Sequence, residues 1–360
     1  MGISWETIRT DWLLGQNISL TEEAVLERFG LLENLLGEEW LSEIKAQPGF
    51  APPILRAMLM AEKLATVQGS AGVGELIARI KSNDRSAHSE LTAAYLLASS
   101  DKTAEFGPTV TIKGRSRKPD FRIRSNDEAW CYVEVASPNE SELQTKAQEL
   151  VARIAMKLAE STVDVVLDCV LLKEPSVDEE DQLCTQIAAL VTGSASSIET
   201  IPELAMIALN QSAPGQAVVG DYGVPPVPRI AITTFQLDKG QTRKTITVRI
   251  PFADERAESF VSHEARQLPE DSPGLIMFDM TAAASGMTAW EPLIARRLQP
   301  KQHTRISAVC LFSGNYMLQP QGFGWFPEAR LLRNSHARCT LPEWIAGRLE
   351  AIKLPKPDPG

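Results

Sequence analysis

The stretch KPDFRIRSNDEAWCYVEVAS, residues 118–137, decides the expected fold. Apolar and basic residues alternate after Asp120, a polar turn follows, and an apolar strand returns through Glu134. Side chains alternate between the two faces of a strand, so Asp120 lies on the face opposite to Phe121. A turn centred near Asp127 places Asp120 almost opposite Glu134 across an antiparallel hairpin.

Two carboxylates this close repel each other unless a positive charge lies between them. A divalent Mg²⁺ or Mn²⁺ ion is the usual solution, because hard cations prefer oxygen ligands. Glu90 offers a third carboxylate, in an expected helix whose other residues are mostly small or apolar. Taken alone, Glu90 is better explained as an exposed helix glutamate, since a buried one is costly without a partner. Together with the hairpin, it predicts a metal site.

Glu90, the Pro119-Asp120 dipeptide and Glu134 resemble the catalytic pattern of the PD-(D/E)XK nuclease superfamily, also called the restriction-endonuclease-like fold. The resemblance covers residues 86–159 of the 360-residue chain. It implies that the three acidic residues hold Mg²⁺ or Mn²⁺, which activates a water to attack a phosphodiester. The implied activity is hydrolysis of DNA, with RNA as the second choice.

The chain departs from this pattern at Ala136, where the family has a lysine that positions the water and stabilises charge in the transition state. Two explanations stay open. In the first, the basic role has migrated to the following helix, where Lys146 is the candidate and Gln144 with Gln148 are polar substitutes. In the second, the site has lost catalysis, and the fold serves as a nucleic-acid- or protein-binding module. The three retained acidic positions favour migration.

Basic residues crowd around Asp120 in a chain whose formal net charge is −10. Two interpretations weigh about evenly: they hold phosphates beside the metal, or they form a solvated hairpin edge that discourages strand pairing. The residues predicted to bind nucleic acid are Lys113, Arg115, Arg117, Lys118 and Arg122, and Arg124 continues the patch. A second basic cluster fits a helix end that favours cations and comprises Arg296, Arg297, Lys301, His303 and Arg305.

Composition and the absence of known motifs exclude several other classes of function. No apolar run approaches the roughly 20 residues that span a bilayer, and the start MGISWE lacks the plan of a signal peptide, so we expect a cytoplasmic protein with no membrane partner. The five cysteines have no CxxC spacing and are expected to be reduced core thiols rather than zinc ligands. GxSxG, P-loop and GxGxxG motifs are absent from the sequence. The oligomeric state is left open.

The expected fold class is α/β, with a restriction-endonuclease-like core of mixed sheet between a helical N-terminal lobe and a second α/β region. Within the core, the expected order is α-β-β-β-α-β-α. The expected boundaries are a helical lobe at 1–83, the core at 84–211, a Pro/Gly-rich connection at 212–228, the C-terminal α/β region at 229–354 and a disordered tail at 355–360.

Overall fold

The computed structural model of the chain describes residues 4–11, 21–46, 52–98, 101–126, 128–138, 142–192, 197–214, 231–239, 242–250, 256–283, 286–319 and 322–354. In chain order, the helices are α1 (Trp5–Asp11), α2 (Glu22–Leu36), α3 (Glu38–Ala46), α4 (Pro53–Val67), α5 (Val73–Lys81), α6 (Arg85–Leu97), α7 (Glu142–Leu158), α8 (Val177–Thr192), α9 (Arg256–Glu264), α10 (Met287–Ala295) and α11 (Glu343–Ala351). The strands are β1 (Lys102–Phe106), β2 (Val110–Ile112), β3 (Arg115–Arg117), β4 (Phe121–Ser125), β5 (Cys131–Ala136), β6 (Asp164–Leu171), β7 (Ser197–Ile201), β8 (Ala205–Ser212), β9 (Ala231–Lys239), β10 (Thr242–Ile250), β11 (Gly274–Asp279), β12 (Ala308–Gln319) and β13 (Gly322–Arg333).

The fold class is mixed α/β, and the chain divides into two compact units. Unit 1 comprises Met1–Ser137, Glu258–Thr281 and Ile294–Gly360, whereas unit 2 comprises Pro138–Ala257 and Ala282–Leu293. Unit 2 is therefore formed by two insertions into unit 1, one after β5 and a shorter one after β11. This division differs from the expected succession of a lobe, a core and a C-terminal region along the chain.

The N-terminal residues of unit 1 are helical, as predicted. Helix α2 begins after Thr21, whose Oγ1 accepts the N–H of Ala24 at 3.3 Å and so satisfies one of the open donors of the first turn. Its apolar residues recur at helical spacing and are buried, from Val25 through Phe29 to Leu36. They pack in one core with α4 and α6.

The sheet of unit 1 has the strand order β1-β4-β5-β11-β12-β13. Strands β1, β4 and β5 form an antiparallel meander, and β11 then lies parallel to β5. The next strand, β12, is parallel to β11 and makes a long hairpin with β13. Phe323 lies near the start of β13, the second strand of this hairpin.

The apolar stretch EFGPTVTI, residues 105–112, does not form one continuous strand. Gly107 has a φ of 58°, a left-handed conformation that breaks the extended chain, and its N–H donates to the carbonyl of Asp120 at 2.7 Å. Residues beyond the break form β2, which pairs with β3 as a separate two-stranded ribbon. The break separates the basic ribbon from the main sheet.

The helix that follows the hairpin in chain order, α7, does not belong to unit 1. Helix α7 and strand β6 lie in unit 2, where the sheet order is β7-β8-β6-β10-β9. In unit 1, most of α9 and then β11 come next after β5, and Phe260 of α9 packs edge-on against Phe278 at 6.1 Å. The expected core of residues 84–211 is therefore split between the two units.

Unit 2 has its own apolar core between its sheet and the helices α7 and α8. Strand β6 is central and buried, as predicted, with Val165, Leu167 and Cys169 fully covered. Strand β7 was missed because its residues are mostly exposed and polar. Most of the predicted Pro/Gly-rich connection and the tail at 355–360 lie outside the described residues.

All five cysteines are free thiols, and four of them are buried, as predicted. Burial raises the pKa of Cys169 and of Cys310 to about 12, which keeps both thiols protonated and inert. Within the described ranges, no helix combines the length and apolar character that a membrane crossing needs.

Candidate active site

Asp120 and Glu134 lie next to each other on one face of the β4–β5 hairpin. The register pairs Phe121 with Val133, so the pair one step outward is Asp120 and Glu134. Asp120 Oδ2 accepts the N–H of Val135 at 2.7 Å, which anchors the carboxylate to the partner strand. The predicted hairpin is therefore present, in the register that a turn centred near Asp127 requires.

Glu134 is an uncompensated buried acid. Its side chain is 4% exposed, and its Oε1 has no hydrogen-bond partner. Burial, followed by the negative charges of Asp120, Glu264 and Glu90, raises the pKa of Glu134 to about 10. The pKa of Asp120 is raised to about 6, chiefly by burial. A proton or a cation is needed to hold this pair together at neutral pH.

Glu90 is buried in α6 rather than exposed, and it has a cation of its own. Arg79 NH1 donates to Glu90 Oε2 at 2.9 Å, and Arg79 NH2 lies 2.6 Å from Glu90 Oε1. Arg79 also binds Asp84 and Ser86. Burial and then the charge of Asp120 raise the pKa of Glu90 to about 7, although Arg79 opposes the shift. Both oxygens that the metal prediction requires are engaged by this guanidinium.

Glu264, near the end of α9, is a fourth carboxylate of the cluster. Its charge acts on both Asp120 and Glu134, and burial raises its own pKa to about 7. Glu264 was missed because the residues on which its charge acts are distant in the chain. One signal was available: Ala257 and Val261 form the buried stripe of α9, and Glu264 borders that stripe.

A cavity of about 130 Å³ opens beside these groups, and Asp120, Glu90 and Arg79 line it together. Gly72 forms part of its wall: a Cβ there would lie 2.2 Å from the carbonyl oxygen of Phe106. Only glycine allows this close approach, which brings α5 against β1. The cavity thus presents three carboxylates, those of Asp120, Glu90 and Glu75, and two cations, Arg79 and Lys118. Glu134 is not among its described lining residues.

Ala136 and Lys146, the predicted substitute for the family's lysine, belong to different units. Ala136 is buried on β5 and pairs in register with Phe278 of β11. Lys146 lies in unit 2, where its Nζ binds Glu174 Oε1 at 2.5 Å, and its catalytic role stays a prediction. The cation whose charge acts on Asp120 is instead Arg79, which the sequence analysis missed.

The donor set fits a metal held by two carboxylates rather than three. In the described part of the chain, no group of three His, Cys, Asp or Glu side chains is arranged to hold a metal ion. Mg²⁺ commonly binds through only one or two carboxylates and completes its shell with waters and substrate phosphates. Asp120 and Glu134 meet that requirement, and the unpartnered Glu134 Oε1 is the atom that a cation would satisfy.

The predicted basic patch separates into two groups. Lys118 and Arg122 bind acidic residues of unit 1, Glu75 and Glu105, and Arg122 also stacks on Trp130 at 4.3 Å. Arg124, on β4, stacks on the same Trp130 ring at 4.5 Å. Lys113, Arg115 and Arg117 lie on the β2–β3 ribbon and line a second, larger cavity of about 640 Å³. We call this cavity the basic cleft; its cationic lining residues are Lys113, Arg115, Arg117, Arg266, Lys301, Arg305 and Arg338, with His303 beside them.

The second predicted cluster is also divided. Arg296 and Arg297 directly follow α10 and pair with Glu258, so the helix-end interpretation suits them. Lys301 and Arg305 instead line the basic cleft. No protein-family model, curated protein or solved structure with which the chain was compared matches it.

Proposed function

We propose that unit 1 is a metal-dependent phosphodiesterase of the PD-(D/E)XK type that hydrolyses DNA, with RNA as the second choice. The observation that carries the proposal is the buried pair of Asp120 and Glu134, whose mutual repulsion a bound cation would relieve. Glu134 Oε1 has no hydrogen-bond partner among the described residues and could serve as a ligand atom. Among the described residues of unit 1, no other buried carboxylate has an oxygen without a hydrogen-bond partner.

The order of elements in unit 1 supports a restriction-endonuclease-like core. Helix α6 carries Glu90, the meander β1-β4-β5 carries Asp120 and Glu134, and α9 then leads to the parallel strand β11. The helix that follows β5 within unit 1 is α9 rather than α7, because residues 138–257 of unit 2 lie between β5 and α9 in the chain.

Each acidic residue has a distinct role in this proposal. Asp120 and Glu134 hold Mg²⁺ or Mn²⁺, which when bound supplies an activated water and neutralises charge on a phosphodiester. Glu264, with a pKa of about 7, is suited to accept a proton at neutral pH. Arg79, held by Glu90, faces the shared cavity and offers a fixed positive charge to a phosphate.

The alternative function is a catalytically degenerate module that binds nucleic acid or protein. Ala136 favours it, since the family's lysine is missing and Lys146 lies in unit 2 paired with Glu174. The engagement of Glu90 by Arg79 favours it too, because one predicted ligand is then unavailable.

Cleavage of a labelled DNA duplex with Mg²⁺ or Mn²⁺ tests the proposal. Asp120→Asn and Glu134→Gln keep the shape of each side chain and remove its charge. We expect each to lower the rate by at least about 100-fold, since losing a metal ligand costs more than losing an outer-sphere partner. Glu27→Gln, on an exposed face of α2, is the matched control and should leave the rate unchanged.

Metal binding separates the two functions. Cleavage that persists in both variants would remove the proposed site. Absence of cleavage, together with absence of Mn²⁺ binding by calorimetry, would instead establish the degenerate module.

A further inference from the structure

The basic cleft of unit 1 gathers cations that are far apart in sequence. The β2–β3 ribbon, the chain that follows α9, the loop before β12 and the segment after β13 all contribute to it. Lys113 and Lys301 were predicted to belong to two separate clusters, whereas the structure places both in the lining of one cavity.

The cleft holds a large excess of positive charge. Among the described residues that line it, Glu270 is the single acid, and it binds Arg305, Arg338 at 2.5 Å and Lys113 at 3.4 Å. These cations lower the pKa of Glu270, so it stays ionised. A single carboxylate is thus shared among three cations.

Four further cations of the cleft have no carboxylate within ion-pair distance in the described residues: Arg115, Arg117, Arg266 and Lys301. In a chain of net charge −10, such an unbalanced cluster is a local attractor for anions. Three of the four are arginines, whose planar guanidinium matches the geometry of a phosphate. Their distribution over a cavity of about 640 Å³ suits a row of phosphates better than a single small anion.

The lining also indicates which part of a nucleic acid is held. Proteins that bind single strands combine a basic groove with aromatic rings on which bases stack. No phenylalanine, tyrosine or tryptophan is among the described residues that line the cleft, whose members besides the charged residues are Ile112, Ser262, Ala265, His303 and Thr304. Contacts to the sugar-phosphate backbone position a duplex without reading its bases.

The cleft is close in the chain to the carboxylate cluster. Arg117 precedes Asp120 by three residues, a span of at most about 11 Å. Arg266 follows Glu264 by two residues, at the end of α9. A backbone held in the cleft is therefore within reach of the acidic groups of the same unit.

We propose that the basic cleft binds the phosphate backbone of double-stranded DNA, independently of sequence. The choice of DNA rests on the proposed function, whereas the binding itself requires no metal and no cleavage. The four unpaired cations carry the interaction, and Glu270 holds Arg305 and Arg338 in place around them.

Fluorescence anisotropy with the full chain in EDTA tests this proposal without cleavage. The probes are a labelled DNA duplex, one of its strands alone and an RNA duplex of the same sequence. We expect the DNA duplex to bind most tightly, with a slope of log K against log salt of about −4, since each neutralised phosphate contributes about −0.9.

The variants are Arg115→Gln with Arg117→Gln, and separately Arg266→Gln with Lys301→Gln. Each pair should make the slope shallower by about 2 and weaken binding at fixed salt. The control, Lys81→Gln with Lys353→Gln, makes the same charge change at exposed positions of unit 1 outside the cleft and should preserve the slope. The two independent cleft pairs guard against a folding defect in either one.

The proposal would be overturned if both pairs of cleft substitutions left the salt slope unchanged. It would also be overturned if the single strand or the RNA duplex bound at least as tightly as the DNA duplex. Asp120→Asn and Glu134→Gln should bind as the parent chain does in EDTA. If the cleft binds the duplex but the protein does not cleave it in Mg²⁺ or Mn²⁺, the proposed nuclease activity is refuted and the proposed DNA-binding role of the cleft is kept. If the protein cleaves DNA and the cleft variants bind it unchanged, only the DNA-binding role of the cleft is refuted.

Discussion

Asp120 and Glu134 are neighbours across the β4–β5 hairpin, and only Asp120 has a hydrogen bond that anchors its carboxylate to the backbone. This difference in hydrogen bonding decides which of the two carboxyl groups is protonated. Asp120, with the N–H of Val135, keeps the lower pKa of the two, and Glu134 carries the proton in the metal-free protein at neutral pH. Measurable consequences follow for stability and for metal binding.

The metal-free protein should lose stability as the pH rises. The pKa of Glu134 is about 10 in the folded state and near 4.5 otherwise, so the folded state binds more protons between these values. The free energy of unfolding then falls with pH, by at most about 1.4 kcal/mol per pH unit for one group. Urea unfolding in EDTA at pH 6, 7 and 8 measures this slope.

Glu134→Gln isolates the contribution of that group, because both proteins share every other titrating side chain. The variant should be at least as stable as the parent chain at pH 8, with a weaker dependence on pH. Equal slopes for the two proteins would show that Glu134 is ionised in the folded state.

Mn²⁺ binding should release protons. A carboxyl group must be ionised to coordinate a metal, and Glu134 is protonated below a pKa of about 10. The association constant should therefore rise by up to about tenfold per pH unit between pH 6 and 8. Calorimetry in two buffers of different ionisation enthalpy counts the protons; identical heats in both would contradict the assignment, and Glu134→Gln should show no binding.

The hairpin could be predicted because its determinants are local. Alternation from Phe121 onward and the polar turn near Asp127 set the register within a short stretch of chain. The same local logic identified α6 and the burial of β6. Prediction succeeded where neighbours in sequence are also neighbours in space.

The insertion of unit 2 could not be predicted, because strand pairing between β5 and β11 joins residues well over a hundred positions apart. Without that pairing, α7 was the natural choice for the helix after the hairpin, and Lys146 the natural substitute for lysine. Arg79 and Glu264 were missed for the same reason. Each reaches the cluster through a tertiary contact, and helical periodicity gave at most the position of Glu264 beside a buried stripe.

Removing Arg79 should destabilise the protein through Glu90. Arg79→Met leaves a buried carboxyl group without its donors, which costs about 1–3 kcal/mol for an unsatisfied group, and partial exposure of Arg79 places the effect at the lower end. Glu90→Gln should cost less, and adding it to Arg79→Met should recover part of the loss. Urea unfolding of the two single variants and the double variant gives the coupling energy; strictly additive effects would show that the pair is not coupled.

Gly72 and Gly74 form a matched pair that tests the wall of the carboxylate cavity. Gly72 has a φ of 76°, and its added Cβ would meet the Phe106 carbonyl at 2.2 Å, so Gly72→Ala should cost at least about 1–3 kcal/mol. Gly74 lies in α5 with nothing within 4 Å of its Cβ position, and Gly74→Ala should stabilise the helix by about 0.5–1 kcal/mol. Urea unfolding measures both. Effects of the same sign would mean that α5 and β1 do not approach each other at Gly72 as closely as described, and that the cavity beside Asp120 is wider.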